Sequence, residues 1–506
     1  MKIRARDLAA RIVEANGIRY PAFFPSVYGP PAPNTDAILV NAYRIWTDRD
    51  YRRITGKSAK DYLQFDGFAL PESGWKQIDR YGDEDVTNED LVEIQVKMGF
   101  PVVAPLPSAR VEDAIVNARI AREESGKNLF LEIPTNWTKK EIVAFVEATR
   151  EWAWGYGTHS DRPEFLEKIL RIVPRSKRLV VLGIHHPAII PILSALGVDA
   201  FASGAHARYA GKELYITESS IRPLPDMNEL PCTCRICAER SVDDLLRNRE
   251  LLAEHNLLQF MEEVRRTRNA IMEGRLYEYA RRRALTHPDM FKRFKYVIRS
   301  DFVLENLPFP KQSSVYLFEK EYRPEIELGK RLARERGANI GDLVFTYPFG
   351  QTYPPILEER PSPDRVIRAV FRYQFGIDID PSELRWEVRK GIPRKIYRGN
   401  EYIGLIRYED GFFVPSIAGA RWLVSIIPSP RARIVVDEDG AEAIRDKHSP
   451  LTDHVLDSDP EMRPNMEIIV VDENDNVLAT GKATLTPREV AEIPGVPAVK
   501  IRHRAV

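Results

Sequence analysis

With 506 residues, 43% of them hydrophobic and 29% charged, the chain is composed like a soluble globular protein and is too long for one core; roughly three or four domains are expected. Lys+Arg and Asp+Glu balance at 74 each, so overall charge indicates no partner, and a nucleic-acid-binding face would have to gather its basic residues locally. The opening Met1-Lys2-Ile3-Arg4-Ala5-Arg6-Asp7 lacks a signal peptide's apolar segment, and the most apolar region, Leu179 to Ala202, is broken by His185, His186, Pro187, Pro191 and Asp199. No membrane span is expected, and the expected location is the cytoplasm.

Over residues 1–293, short apolar runs alternate with charged, helix-forming stretches. In chain order the spacing predicts buried strands at Ala37–Val40, Val102–Ala104, Leu129–Ile133, Leu179–Gly183 and Ala200–Phe201. Helices are predicted over Asn88–Met98, Val111–Glu124, Lys139–Trp152 and Pro163–Val173, the last with proline at its first position. This alternation belongs to the α/β class and predicts a (β/α)8 TIM barrel, with chemistry at the C-terminal ends of the strands. Trp152, Trp154 and Tyr156 either stack on a base or pack against the barrel rim.

All three cysteines fall in Cys232-Thr233-Cys234-Arg235-Ile236-Cys237, so no disulfide framework is available. Zinc asks for four tetrahedral ligands, and His255 stands a short helix downstream to supply the fourth. A closed set of four predicts a structural Zn2+, one per chain, within residues 231–256. The alternative, three free buried cysteines and a surface histidine, leaves the spacing unexplained.

Two basic runs follow, Arg265-Arg266-Thr267-Arg268 and Arg281-Arg282-Arg283, which either contact phosphate or form a solvated helix face. Proline-rich breaks at Leu307–Pro310, Tyr353–Pro355, Arg360–Pro363 and Ile427–Pro430 then separate small α+β units over 294–360 and 361–430 from a β-rich tail over 431–506. In the tail, Met466–Val471 and Val477–Gly481 flank a hairpin turn at Asp472–Asn476.

At the cysteine cluster the sequence resembles the tRNA-guanine transglycosylases, which carry a Cys-x-Cys-x2-Cys…His zinc site on a (β/α)8 barrel. Asn41-Ala42-Tyr43, Gly183…His186-Pro187 and Gly197-Val198-Asp199 resemble other family motifs. The archaeal, archaeosine-type branch is the nearer match. Thr346-Tyr347-Pro348-Phe349, Tyr373-Gln374-Phe375-Gly376 and the tail from Arg431 resemble its accessory domains. In the tail, Asp459-Pro460, Arg463-Pro464 and Ala479-Thr480-Gly481 are similar to a PUA domain, a small RNA-binding β-barrel. Such enzymes exchange a guanine in the tRNA D-loop for 7-cyano-7-deazaguanine.

The chemistry departs from that pattern. Where the family carries its nucleophilic aspartate, in Gly-Val-Asp-x-Phe-Asp-Ser, this chain has Ala202. The surviving Asp199 lies three residues earlier and should face another way. Where the family has its second aspartate, in Asp-Ser-Gly-x-Phe-Gln, the chain has Glu72, a carboxylate that still moves protons in principle, followed by the bulkier Trp75 and Lys76. The base-reading positions correspond to Ala104, Pro134-Thr135 and Gly157-Thr158. A site built on hydrogen bonds to a planar base loses discrimination when those partners vanish.

The resemblance therefore implies a tRNA-binding pseudoenzyme that pairs with an active transglycosylase paralogue as a hetero-dimer, or with itself as a homo-dimer, and binds no DNA. A second possibility is an archaeosine-synthase-like enzyme that turns the inserted nitrile into an amidine. That relative's Pro-Cys-x3-Lys-Pro-Tyr motif is missing, and Lys390 and Lys395 read as ordinary basic residues. A third is an active transglycosylase whose nucleophile is Asp199, Glu72, Asp66 or Asp79. RNA contact in the tail falls to Lys500, Arg502 and Arg504, unless these are a frayed basic end. The tail holds ten Lys/Arg against fifteen Asp/Glu.

Overall fold

The computed structural model describes residues 2–27, 33–48, 57–82, 85–311, 313–317, 322–389 and 391–505; Lys390 lies outside them. Two compact units emerge, residues 2–6 with 10–297, and residues 7–9 with 298 onward.

The barrel unit opens with an antiparallel meander, β1 (Lys2–Asp7), β2 (Ala10–Ala15) and β3 (Ile18–Tyr20). Seven parallel strands follow: β4 (Ala22–Val27), β5 (Ala37–Asn41), β6 (Phe68–Glu72), β7 (Leu129–Glu132), β8 (Ala153–Thr158), β9 (Arg178–Leu182) and β10 (Ala200–Ser203). Their spatial order is β6-β5-β4-β10-β9-β8-β7. Residues 102–104 occupy the remaining position through one parallel bridge, Val103 to Leu129. The expected (β/α)8 arrangement is thus a nearly closed barrel, with seven ladder-paired strands and one bridge. The reason is local: the Gln95 side chain serves the Ala104 backbone, accepting from its N–H (2.7 Å) and donating to its carbonyl (2.9 Å). Those groups are satisfied without a ladder.

Helices alternate with the strands as the spacing predicted. They are α1 (Ala42–Thr47), α2 (Ala59–Leu63), α3 (Trp75–Tyr81), α4 (Asn88–Lys97), α5 (Val111–Ser125), α6 (Lys139–Thr149), α7 (Pro163–Ile172), α8 (Ile189–Leu196) and α9 (Ala205–Ala210). Side chains divide by the two-residue period of a strand. Ala37 and Leu39 of β5 join Leu70, Phe130, Val180, Leu182 and Ala202 inside the barrel, whereas Ile38 and Val40 face Ala59 and Leu63 of α2. Strand β8 was not anticipated, because two glycines depress its strand propensity. Gly157 is required there, since a Cβ would overlap the Phe130 ring. The aromatics of this strand pack: Trp154 lies 5.4 Å from Phe68, and the Tyr156 hydroxyl reaches Thr149 Oγ1 at 3.0 Å. The hairpin β11 (Leu214–Ile216) and β12 (Ile221–Pro223) leads to α10 (Val242–Arg247), α11 (Arg249–Met272), α12 (Leu276–Ala284) and α13 (Pro288–Val297).

In the second unit, α14 (Asp301–Asn306), the parallel pair β13 (Val315–Tyr316) and β14 (Thr352–Tyr353), α15 (Pro324–Glu335) and α16 (Pro363–Phe375) precede an antiparallel sheet. That sheet is β15 (Leu384–Arg389), β16 (Ile392–Arg398), β17 (Glu401–Ile406) and β18 (Phe413–Pro415). After α17 (Ile417–Ile426) comes a five-stranded sheet in the order β20-β19-β21-β22-β23. It comprises β19 (Arg433–Val436), β20 (Val455–Ser458), β21 (Glu467–Val471), β22 (Val477–Ala483) and β23 (Val499–Arg504). The hairpin turn between β21 and β22 is closed by Asp472, whose carboxylate accepts from the backbone of Asn474 and Asn476. Among the described residues, no helix is long and apolar enough to cross a membrane.

Asp199 sits at the N-terminal end of β10, the end of the barrel opposite the strands' carboxyl ends. Its carboxylate accepts from the Leu179 backbone N–H at 3.0 Å and faces the buried Arg11 guanidinium at 3.6 Å. Removing one partner strands the other charge in the interior. Asp199→Ala should therefore cost about 3 kcal/mol in denaturant unfolding, with Asp199→Asn milder because it keeps the acceptor.

Candidate functional site

The carboxyl ends of the strands bring together residues far apart in sequence. Asn41 ends β5 and Glu72 ends β6, paired in register; the Asn41 amide donates to Glu72 Oε1 at 3.0 Å. Glu132 ends β7 and is buried with three donors around it. Ser73 Oγ donates at 3.1 Å, Trp75 Nε1 at 2.9 Å, and His159 Nε2 stands 3.3 Å away. The Trp75 indole lies edge-on to His159 at 6.2 Å, and Lys76 Nζ lies 5.8 Å from the Trp75 ring.

The two carboxyls titrate apart. Burial, with Glu132 nearby, raises Glu72 to about 7. Burial works against Glu132 as well, yet its hydrogen bond and attraction to His159, together with Trp75 and Ser73, hold it below the ordinary carboxylate range. Burial also lowers Lys76. The mouth thus carries a fixed anion beside an acid poised near neutrality.

Ala202 is fully buried on β10 beside Leu182 and Phe24, and Ala104 is buried with it in the barrel's apolar interior. Neither offers a polar atom. Of the other carboxylates considered, Asp66 is exposed and paired with Lys60, and Asp79 is exposed on α3; Asp199 lies at the far end. Glu132 and His159 were missed by sequence reasoning. The available signal was a glutamate at the carboxyl end of a run otherwise read as fully buried.

The cysteine cluster closes as a site. Cys232, Cys234, Cys237 and His255 place one donor atom each within 4.8 Å of one another. His255 projects from α11, and its Nε2 donates to the Ile216 carbonyl at 2.9 Å. Nδ1 is left facing Cys237 Sγ at 3.2 Å and Cys234 Sγ at 3.6 Å, near the ~3.5 Å edge of a tetrahedron built with zinc–sulfur and zinc–nitrogen bond lengths. Tyr215 stacks on the imidazole at 3.9 Å and fixes its plane. The cluster can hold a metal ion.

The tail's three basic residues share β23 but not their surroundings. Arg502 grips Glu467 with two bonds of 2.6 and 2.9 Å, and Arg504 donates to the carbonyls of Ile444 and Lys447. Lys500 is exposed.

Glu72 yields a pH prediction. Its folded pKa of about 7 exceeds the ordinary 4.5, so the unfolded chain releases this proton first. Stability from this group is complete below pH 4.5 and is lost as pH rises to about 7, by up to about 3 kcal/mol. Glu72→Gln keeps the acceptor for Asn41 and should flatten this fall, melting a few degrees above wild type at pH 8 but not at pH 4.5.

Comparison with known proteins agrees with this architecture. A family profile described as queuine tRNA-ribosyltransferase matches residues 135–289. The patch-forming domain C2 of tRNA-guanine transglycosylase matches residues 365–430, and a PUA domain matches 432–505. Among similar proteins, the tRNA-guanine(15) transglycosylases of Pyrococcus abyssi and Korarchaeum cryptofilum are each 29% identical, over 99% of this chain and 97% of theirs. That of Thermococcus onnurineus is 27% identical over 99% of this chain and 98% of its own. With the barrel, the Cys3His cluster, the C2 domain and the PUA domain in one order, this chain is similar along nearly its whole length to the archaeal tRNA-guanine(15) transglycosylases.

Proposed function

We propose that this chain binds tRNA as a non-catalytic subunit of archaeosine-type modification, paired with an active transglycosylase. The observation that carries this reading is Ala202. Base exchange at a ribose needs a nucleophile to hold C1′ while one base leaves and another enters. At that position the chain presents a methyl group sealed among Phe24, Leu182 and Ala104. The base pocket has changed with it. Trp75 and His159 close on Glu132, occupying its carboxylate with donors from the protein itself. The PUA domain supports tRNA as the ligand.

A second reading is favoured by Glu72 alone. A buried carboxyl near pH 7 is suited to proton transfer, which would fit another reaction on modified tRNA such as nitrile-to-amidine conversion. An assay on tRNA already carrying 7-cyano-7-deazaguanine separates the two.

The metal of this reading is zinc, held by Cys232, Cys234, Cys237 and His255 as a closed site without an open position for substrate. Purified protein should carry about one zinc per chain. Cys234→Ser should lose it and melt several degrees lower, as read by elemental analysis and calorimetry; a full complement of zinc in that variant would remove Cys234 from the ligand set.

Purified chain should incorporate no labelled guanine or 7-cyano-7-deazaguanine into unmodified tRNA. Ala202→Asp alone should not restore exchange, because the pocket around it is also altered. Incorporation by wild type would overturn the non-catalytic reading. Incorporation by the variant alone would show that the pocket still accepts a base.

A further inference from the structure

The basic runs beyond the cysteine cluster do not form one face. Arg268 turns back and donates to the Arg19 carbonyl at 2.8 Å. Arg283 is buried, binding Glu263 at 2.8 Å and the Glu218 carbonyl. Left at the surface are Arg265 and Arg266 on α11, Arg275 at the turn, and Arg282 on α12. These four line a cleft of about 610 Å³ between α11 and α12, in which Arg282 stacks over Tyr279 at 5.2 Å. Arg265 and Arg266 also border a second cleft of about 670 Å³, where the exposed Arg222 and Arg235 add to the same surface.

Three of these guanidiniums, Arg222, Arg265 and Arg282, have no carboxylate partner among the described residues. Arg266 pairs only with the exposed Glu262 and Arg235 only with the half-buried Glu254, surface contacts weak enough in water to be exchanged for a phosphate. Apart from Ala270 and the Tyr279 ring, the first cleft is lined by its four arginines, by Asn269 and by two carboxylates, Glu273, which accepts from Asn269 at 2.9 Å, and Glu278. It lacks the apolar centre that a protein interface is built on. Arginine forks match phosphate oxygens two at a time, and an aromatic beside them offers a face for an unstacked base. The rest of the chain sharpens the assignment. Residues 431–506 carry ten Lys/Arg against fifteen Asp/Glu, and Arg502 and Arg504 are spent within the fold. Attraction of a polyanion therefore has to be supplied elsewhere.

We infer that the arginine-lined α11–α12 cleft is a contact surface for the RNA phosphate backbone. The inference rests on the tRNA-binding reading above and names a surface for it outside the PUA domain.

The test uses the full zinc-loaded chain and unmodified tRNA, with affinity measured across a salt series. A triple variant, Arg265→Gln with Arg266→Gln and Arg282→Gln, is compared with a control triple of exposed residues at the two ends of α6, Lys139→Gln with Lys140→Gln and, just beyond its C-terminus, Arg150→Gln. Melting curves confirm that both variants fold. The cleft variant should bind about tenfold to a hundredfold more weakly at physiological salt, and its log–log salt dependence should flatten by about two to three units. The control should match wild type. If wild type binds tRNA and the cleft variant binds equally well with the same slope, the cleft assignment fails and the tRNA reading stands. If wild type binds no tRNA at any salt, both fail. If the cleft variant keeps its tRNA affinity but no longer co-elutes with a transglycosylase partner, the cleft is a protein interface and the inference is overturned.

Discussion

The interior of a closed parallel barrel is sealed from water, and an ion left unpaired there costs several kcal/mol. Every inward-facing side chain of this barrel therefore has to be apolar or fully partnered, and the arrangement of the first unit follows. At the base, Asp199 is matched by Arg11 and a backbone N–H. In the middle, Phe24, Leu70, Phe130, Val180 and Ala202 fill the volume with carbon. At the mouth, where chemistry is positioned in this fold, the charge that remains is answered by neighbours on adjoining loops. An aspartate at position 202 would be an anion placed against this apolar middle layer with no donor yet provided for it.

The mouth is organised around one carboxylate. Glu132 gathers Ser73 from the turn after β6, Trp75 from the first turn of α3 and His159 from the loop after β8, so one carboxylate ties the segments after two strands together. Its anion raises the proton affinity of Glu72, already raised by burial. The bulk of Trp75 and the charge of Glu132 are thus one feature. The tryptophan is held by the glutamate, and the glutamate is kept ionised in part by the tryptophan's N–H.

Charge is distributed on the outside by the same economy of partners. The balanced total of 74 basic and 74 acidic residues conceals two different surfaces. The PUA segment is acidic and uses its arginines internally. The α11–α12 hairpin leaves several guanidiniums exposed without strong partners.

What was legible in the sequence was local or motif-borne. The metal cluster could be read because its four donors lie within 24 residues (Cys232 to His255), so a single loop and helix turn bring them together. The barrel could be read because strand and helix periods alternate along the chain. Ala202 and Glu72 could be read because each stands inside a short motif. Several features depended on tertiary structure. The strand at Ala153–Thr158 was hidden by two glycines, Gly157 clearing the Phe130 ring of one neighbouring strand and Gly155 the Arg178 backbone of the other. Arg502 and Arg504 looked like a basic end until β23 placed one against Glu467 and the other over backbone carbonyls. The Glu132–His159–Trp75 group spans positions 75 to 159 on three strand ends, a proximity that only barrel closure creates. The sequence by itself determined which residues were available, with a methyl group at Ala202 and a carboxyl at Glu72. Tertiary structure decided which charges were spent on one another and which were left exposed, because pairing depends on distance in space and sequence records only distance along the chain.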